Sequence, residues 1–320
     1  MLGGIDRQYK GLYNEILRQG HTCDLIKIVI SDKTYEHILK GYLDCYDLDL
    51  SKYDGVISTK VPAFMVRHPN HVSFLSHRHR QFYDAYTFRH EQHDRFKEII
   101  HKLDKWALSD ENIKGRYCIG WTVREREMKW DGYTPEVLYH PTSGMAFADS
   151  GKGDYFLAVS RLNDHKRIDY AIKAVLKCPE AKLKIIGTGP EEEKLVKLAA
   201  GCDRIEFIGH VNDDQLISTY ADCLAVIFTP KEEDLGLITF EAFLSKKPVI
   251  TCADSGEPAI IVSSAEGGYV VNSIEEITEK MTYLMKHQDE AKKLGLNGYN
   301  FMKSITWEKT VKTLVSALSE

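Results

Sequence analysis

Two pairs of charged residues in the second half of the chain have spacing that could do chemistry. Arg161 and Lys166 stand five residues apart in the stretch RLNDHKR. Two cations beside the end of a strand suit a diphosphate, because a guanidinium and an ammonium together neutralise its oxygens. Glu233 and Glu241 stand eight apart in TPKEEDLGLITFEAF, with Gly236 between them. If a helix begins near Gly236, the open amides of Leu235, Gly236 and Leu237 form an anion site at its start. Carboxylates around such a site accept hydrogen bonds from sugar hydroxyls. Each pair also has a plainer reading. The cations would suit a solvated loop, and the acids would be ordinary electrostatics at the positive end of a helix. A third stretch, GTGP at Gly187–Pro190, reads as a glycine turn with Pro at the first helical position, which needs no ligand.

The elements that must position these residues alternate clearly. Strands are expected at Tyr155–Ser160, Lys182–Gly187, Ile205–Gly209, Leu224–Thr229 and Pro248–Ala253. Helices are expected over Arg167–Leu176, Pro190–Ala199, Asp213–Tyr220 and Gly236–Leu244. Continuous apolar strands separated by amphipathic helices indicate a parallel sheet covered on both faces. Ligands of such sheets sit at the carboxyl ends of the strands, where both charged pairs fall. Three further helical patterns follow, at Ile274–Lys286, Asp289–Met302 and Trp307–Leu318.

The first half is less regular. One apolar stripe runs through Ile5, Tyr9, Leu12, Tyr13, Ile16 and Leu17, giving a helix to Gln19 that Gly20 stops. Strands are expected at Asp24–Ile30, Asp54–Ser58, His71–Ser76, Arg116–Trp121 and Glu136–His140, with a helix over Arg89–Trp106. The stretch Pro141–Asp154, rich in Gly, Ser, Pro and Asp, reads as a linker.

Composition narrows the class. A chain of 320 residues suits two domains of ordinary size, and a net charge of −5 suggests neither a nucleic-acid binder nor an acidic tail. Seven cysteines are scattered singly, as expected of reduced thiols in the cytoplasm. The chain lacks an apolar run long enough for a bilayer and begins without a secretory apolar region. The expectation is a cytoplasmic, non-integral protein. Seven of the thirteen histidines lie between His68 and His101, interleaved with Arg67, Arg78, Arg80, Arg89, Arg95 and Lys97 and with Phe74, Phe82, Tyr83, Tyr86, Phe88 and Phe96. This stretch is either a solvated helix face over core aromatics or a surface for an anionic acceptor or a membrane face.

The ordered motifs VSRLNDHKRIDYAIKAV, IIGTGP, FIGHVNDDQLISTYADC and TPKEEDLGLITFEAF, followed by KKPVITCADSGEPAIIV and GGYVV, resemble the family 4 glycosyltransferases of GT-B fold. The resemblance is close over about Asp154 to Ala317. It implies an α/β fold of two Rossmann-like domains. The N-terminal, acceptor-side domain would cover residues 1–147 and the nucleotide-sugar domain 148–304. The helix at 305–320 would cross back.

The resemblance also implies roles. Arg161 and Lys166 would neutralise the donor diphosphate, helped by backbone amides at Gly236 and Leu237. Glu233 would hold a hydroxyl of the transferred sugar and Glu241 the ribose hydroxyls. The backbone at His210 and Val211 would lie against the base. In the first half, GGIDRQYKGLYNEILRQG resembles the family's glycine loop and first helix, with Gly4 approaching the diphosphate. The strand that precedes this loop in the family has no counterpart here. HVSFLSHRHRQFYD resembles the segment that carries an active-site histidine, at His77. Such enzymes are retaining, take UDP- or GDP-sugars and act on glycan or lipid-linked acceptors. They usually need no metal, and no DxD motif is placed for one, since DLDL at Asp47–Leu50 precedes a strand. Polysaccharide or lipopolysaccharide synthesis, at the inner face of a membrane, is the setting this implies. The alternative from the missing strand is a non-catalytic relative, a nucleotide-sugar-binding or scaffold subunit.

Overall fold

The computed structural model describes residues 4–84, 93–142 and 144–319. The chain divides into two compact units, one of residues 12–140 and 307–320 and the other of residues 1–11 and 141–306.

The unit of residues 12–140 and 307–320 is built on a parallel sheet. Helix α1 (Gly4–Arg18) spans the division of the chain, and α2 (Tyr35–Tyr46) follows. Then come β1 (Val56–Ser58), β2 (His71–Leu75), α3 (His93–Ala107), β3 (Gly115–Cys118), α4 (Trp121–Asp131) and β4 (Glu136–Val137). The strands pair in the order β1-β2-β3-β4, all parallel. All five residues of β2 are buried, as a central strand covered on both faces requires. The expected first residues of α3, Arg89–Gln92, lie outside the described residues, as do Tyr86, Phe88 and His90.

Sequence and structure part at Asp24–Ile30, which is irregular rather than a strand. Leu25 and Ile26 are nearly half exposed and Val29 is 95% exposed. An apolar run becomes a strand only where a neighbouring ladder takes its amides and a layer covers its faces. Among the described residues the sheet ends at β1, and no ladder reaches this run. Trp121, expected at the end of a strand, instead opens α4, with Gly120 in extended conformation as its cap. Helix α2 lies between two of the expected strands, in a stretch for which the sequence gives no helix bounds. It is capped by Thr34, whose side chain accepts from the His37 amide, and buries Ile38, Tyr42 and Cys45.

The other unit follows the alternation read from the sequence. It contains β5 (Phe156–Val159), α5 (Ile168–Leu176), β6 (Leu183–Ile186), α6 (Glu192–Ala199), β7 (Ile205–Gly209), α7 (Asp213–Asp222), β8 (Ala225–Ile227), α8 (Leu237–Leu244) and β9 (Val249–Cys252). Helix α9 (Glu257–Ala265) and strand β10 (Gly268–Val271) complete the alternation, and α10 (Ile274–Lys286) and α11 (Gln288–Met302) pack behind them. Pro190 falls in the turn before α6 rather than inside it. Six parallel strands pair in the order β10-β9-β8-β5-β6-β7. The order runs outward in both directions from β5 and β8, so the topological switch point lies between them. Their ladder, Phe156 to Ala225 and Leu157 to Val226, is buried to 1% or less.

Residues 141–154 carry no helix or strand among those described, and polar contacts fasten them to their own unit. Lys247 Nζ lies 2.5 Å from Asp149 Oδ1, Ser150 Oγ donates to the Ala221 carbonyl, and Lys152 pairs with Asp222. The last helix, α12 (Trp307–Ser319), packs on β2 and β3. His140 stacks on Trp307, and Thr310 Oγ1 donates to the Tyr139 carbonyl at 3.0 Å. Gly55 and Gly115 make room for the helix end. A Cβ on Gly55 would lie 3.0 Å from Leu318 and one on Gly115 3.3 Å from Ala317.

Candidate functional site

The carboxyl ends of β5 and β8 bring both charged pairs to the switch point. After β5 the chain runs through Ser160 and Arg161 to a single 3-10 turn at Asp164–Lys166, then bends at Arg167, which has a φ of 49°. After β8 it runs through Thr229 and Pro230 to Glu232, also left-handed at φ 51°, then Glu233 and Gly236. Lys166 Nζ meets Glu233 Oε2 at 2.5 Å, with side chains 16% and 22% exposed. The Arg161 side chain is exposed and has no ion-pair partner among the described residues.

Backbone bonds fix this arrangement. The Lys231 amide donates to the His165 carbonyl at 2.8 Å, the Glu232 amide to Asp254 and the Glu233 amide to Ser255, both at 2.9 Å. The Glu257 amide returns a bond to the Glu233 carbonyl. The loops after β5, β8 and β9 are thus laced together. Arg167 adds a side-chain tie: Nε donates to the Thr229 carbonyl, Nη2 to the Pro230 carbonyl, and the guanidinium grips Asp254 with both ends. Those bonds from Arg167 hold the Asp254 carboxyl below its ordinary range.

Helix α8 begins at Gly236, which has φ 74° and caps without a side chain. A Cβ there would sit 2.7 Å from Pro258 and 2.8 Å from Phe228, so only glycine fits. The helix start, with Leu237 at its first position, faces the loop that carries Glu233. Glu241 lies one turn further in and is buried. Tyr220 of α7 donates a hydrogen bond of 2.8 Å to its Oε2. The glycines of GTGP bear on the same edge. A Cβ on Gly187 would stand 1.7 Å from the Ser160 carbonyl oxygen, and one on Gly189 2.5 Å from that of Leu162. The turn after β6 therefore lies hard against the backbone on either side of Arg161. His210, exposed, and Val211, buried, follow β7 on the outer side of the sheet.

The other unit holds His77, on the loop after β2. Its Nδ1 lies 2.9 Å from the Arg78 carbonyl, so Nδ1 donates there and Nε2 is left for another partner. Arg78 is buried and pairs with Glu127 and Asp131 of α4, with Asp104 at 3.9 Å. Tyr42 and Tyr83 donate to the two oxygens of Asp104 at 2.6 Å each. Burial pushes the Asp104 carboxyl up to about 6. A small cavity of about 20 Å³ adjoins His77, lined also by Arg80, Arg126 and Trp130. Gly4, expected in a loop before the first helix, is instead the first residue of α1, while Gly3 lies outside the described residues. No group of three or more His, Cys, Asp or Glu side chains among the described residues is arranged to hold a metal ion.

Sequence reasoning missed Arg167, Tyr220 and Asp254. An arginine next to a predicted helix start carries no signal of a left-handed bend, because glycine usually marks that conformation. Tyr220 closes an expected helix with nothing in the sequence to point it at Glu241, and Asp254 falls just beyond the expected strand at Pro248–Ala253.

Residues 146–301 match the family model of glycosyl transferases group 1. An uncharacterized glycosyltransferase of Methanocaldococcus jannaschii is 26% identical over 205 residues, 63% of this chain and 53% of that protein. The chain spans about half or less of the length of curated relatives it matches. The sucrose-phosphate synthase of Thermosynechococcus elongatus aligns at a TM-score of 0.76 and 16% identity, over 98% of this chain and 92% of that one. A TarM variant of S. aureus, in complex with fondaparinux, alpha-GlcNAc-glycerol and UDP, aligns at 0.67 and 20% identity, over 88% and 59%. The fold is GT-B, with two Rossmann-like units on parallel sheets.

Proposed function

We propose that this chain is a retaining glycosyltransferase of family 4 that moves a hexosyl group from a UDP- or GDP-sugar to a glycan or lipid-linked acceptor. The observation that carries the reading is the meeting of Lys166 and Glu233 at 2.5 Å across the switch point, with an exposed Arg161 in the same loop as Lys166 and the start of α8, which has no side-chain cap, close after Glu233. It is supported by the group 1 family match over the same residues and by a structural neighbour whose complex contains UDP.

Arg161 and Lys166 take the charge that grows on the diphosphate as its bond to the anomeric carbon breaks, and the amides at Gly236 and Leu237 share it. The acceptor oxygen takes the vacated place on the same face of the sugar, and its proton leaves with the diphosphate. These cations supply the neutralisation that a metal supplies elsewhere, so the reaction runs without one. Glu233 holds a sugar hydroxyl, and Glu241, held by Tyr220, accepts from the ribose. The backbone at His210 and Val211 lies against the base. His77, with Nε2 open, and Gly4 serve the sugar and diphosphate from the N-terminal part of the chain.

No helix among the described residues is long and apolar enough to cross a membrane. Phe74, Arg78, Phe82 and Tyr83 of the basic and aromatic stretch are buried, so it is the exposed Arg67, Arg95, Lys102 and Lys105 that support a peripheral encounter with an envelope glycan or lipid.

Calorimetric titration of UDP and GDP into wild type and into the Arg161→Ala/Lys166→Ala double variant tests the reading. The wild type binds one nucleotide, and the double variant loses about tenfold or more in affinity. Equal affinity in both proteins, or binding by neither, would sink it.

A further inference from the structure

We propose that Arg167 is the positioning residue of the diphosphate site. Its guanidinium binds the loops after β5, β8 and β9 into one body, so that Lys166 and Glu233 are set before a ligand arrives. The inference deepens the proposed function and rests on its assignment of Lys166 and Glu233 to the donor.

Three observations carry it. First, Arg167 takes a left-handed φ of 49° that glycine adopts without strain, so something must compensate for the arginine. Second, four N–H bonds leave the guanidinium, to Thr229 O at 2.7 Å, Pro230 O at 2.7 Å, Asp254 Oδ2 at 2.8 Å and Asp254 Oδ1 at 2.6 Å. Its own carbonyl accepts from Thr229 Oγ1 at 3.2 Å. The side chain that hooks the next loops therefore adjoins the residue that must reach the diphosphate. Third, Glu233, the partner of Lys166, hangs between the same loops, with its amide on Ser255 and its carbonyl on Glu257.

Arg167 is not itself a ligand for the diphosphate. Most of its fork is spent on carbonyls and on Asp254, which neutralises it. Its side chain is 14% exposed, whereas the Asp254 side chain is 54% exposed. Lysine keeps the charge but cannot hold two carbonyls and a carboxylate in one plane. Holding the loops in place spares the donor the ordering cost of arranging them.

Arg167→Lys and Asp254→Asn test this, the second being a mild change at a half-exposed side chain. Amide exchange is measured first on the unliganded full chain. Each variant should raise exchange at Lys231, Glu232, Glu233 and Glu257 about tenfold or more. Affinities for UDP, UMP, GDP and GMP are then compared. The diphosphate affinity should fall about tenfold while the monophosphate affinity stays within about twofold, as for other residues that act through a ligating neighbour. The double variant should be no worse than the worse single one, because the two side chains act as one unit. Unchanged exchange in both single variants overturns the proposal. So does an equal loss for mono- and diphosphates, which a merely structural role would give. If the wild type binds no nucleotide, the donor reading falls, and the exchange result alone decides whether Arg167 ties the loops.

Discussion

Lys166 and Glu233 pair with each other at 2.5 Å, and in the proposed reading each serves a different part of the donor. In that reading an incoming diphosphate competes with the carboxylate for the ammonium, where both side chains are largely shielded. Glu233→Gln removes the competing charge and keeps the size. The free nucleoside diphosphate should then bind about three- to tenfold more tightly, since one buried charge competition is worth roughly a kcal/mol. Turnover of the sugar nucleotide should fall by about a hundredfold, because a neutral amide holds the sugar hydroxyl more weakly in the transition state. Calorimetry reads the first effect and the rate of donor hydrolysis the second. If both quantities fall together, the carboxylate does not compete for Lys166.

Among the elements, the turn after β6 is the strictest. Gly187 has φ 130°, and a Cβ there would overlap the Ser160 carbonyl oxygen at 1.7 Å. Gly187→Ala should cost about 2–4 kcal/mol in urea unfolding, the scale of a forced backbone displacement. Because the displaced segment carries Arg161, affinity for nucleoside diphosphate should drop as well. An alanine variant of wild-type stability would show that the loop after β5 yields freely. The strands and helices around this turn were legible in the sequence because strands buried on both faces are unbroken apolar runs, as Phe156–Val159 and Ala225–Ile227 are. The meeting of Lys166 and Glu233 was legible for the same reason, since the loop that carries each follows such a run. Asp24–Ile30 has the same look and is no strand, because a short apolar run does not reveal whether a neighbour exists to pair with it. Helix α9 was not anticipated, as its start depends on Gly256 at φ 75° and on contacts with Glu233 made through space. Arg167 stayed hidden because its partners lie 62 to 87 residues away.

At the scale of the molecule, acid acts on the unit of β1–β4 in two opposite ways. Burial holds His71 and His79 down to about 4. Below the ordinary imidazole value of 6.5, the unfolded chain takes protons that the folded chain refuses, so these groups lose stability as the pH falls from 6.5 towards 4. Asp104, raised from 3.8 to about 6, runs the other way: its cost is felt above about pH 6 and is relieved on acidification. All four tryptophans, Trp106, Trp121, Trp130 and Trp307, lie in this unit, so tryptophan fluorescence, excited where tyrosine does not absorb, reports its unfolding alone. Urea titrations at about pH 7.5 and about pH 4.5 should therefore diverge. Relative to wild type, Asp104→Asn should lose roughly 2–3 kcal/mol over that interval and His71→Asn should gain a similar amount. Shifts of the same sign would show that burial is not what sets these values. Helix α12 has a different consequence, for the order of events during synthesis. The unit of β5–β10 is complete once Thr306 has left the ribosome. The half of the protein translated first must wait for its final helix, with its flank on β2 and β3 open in the meantime, so it is the later of the two to close.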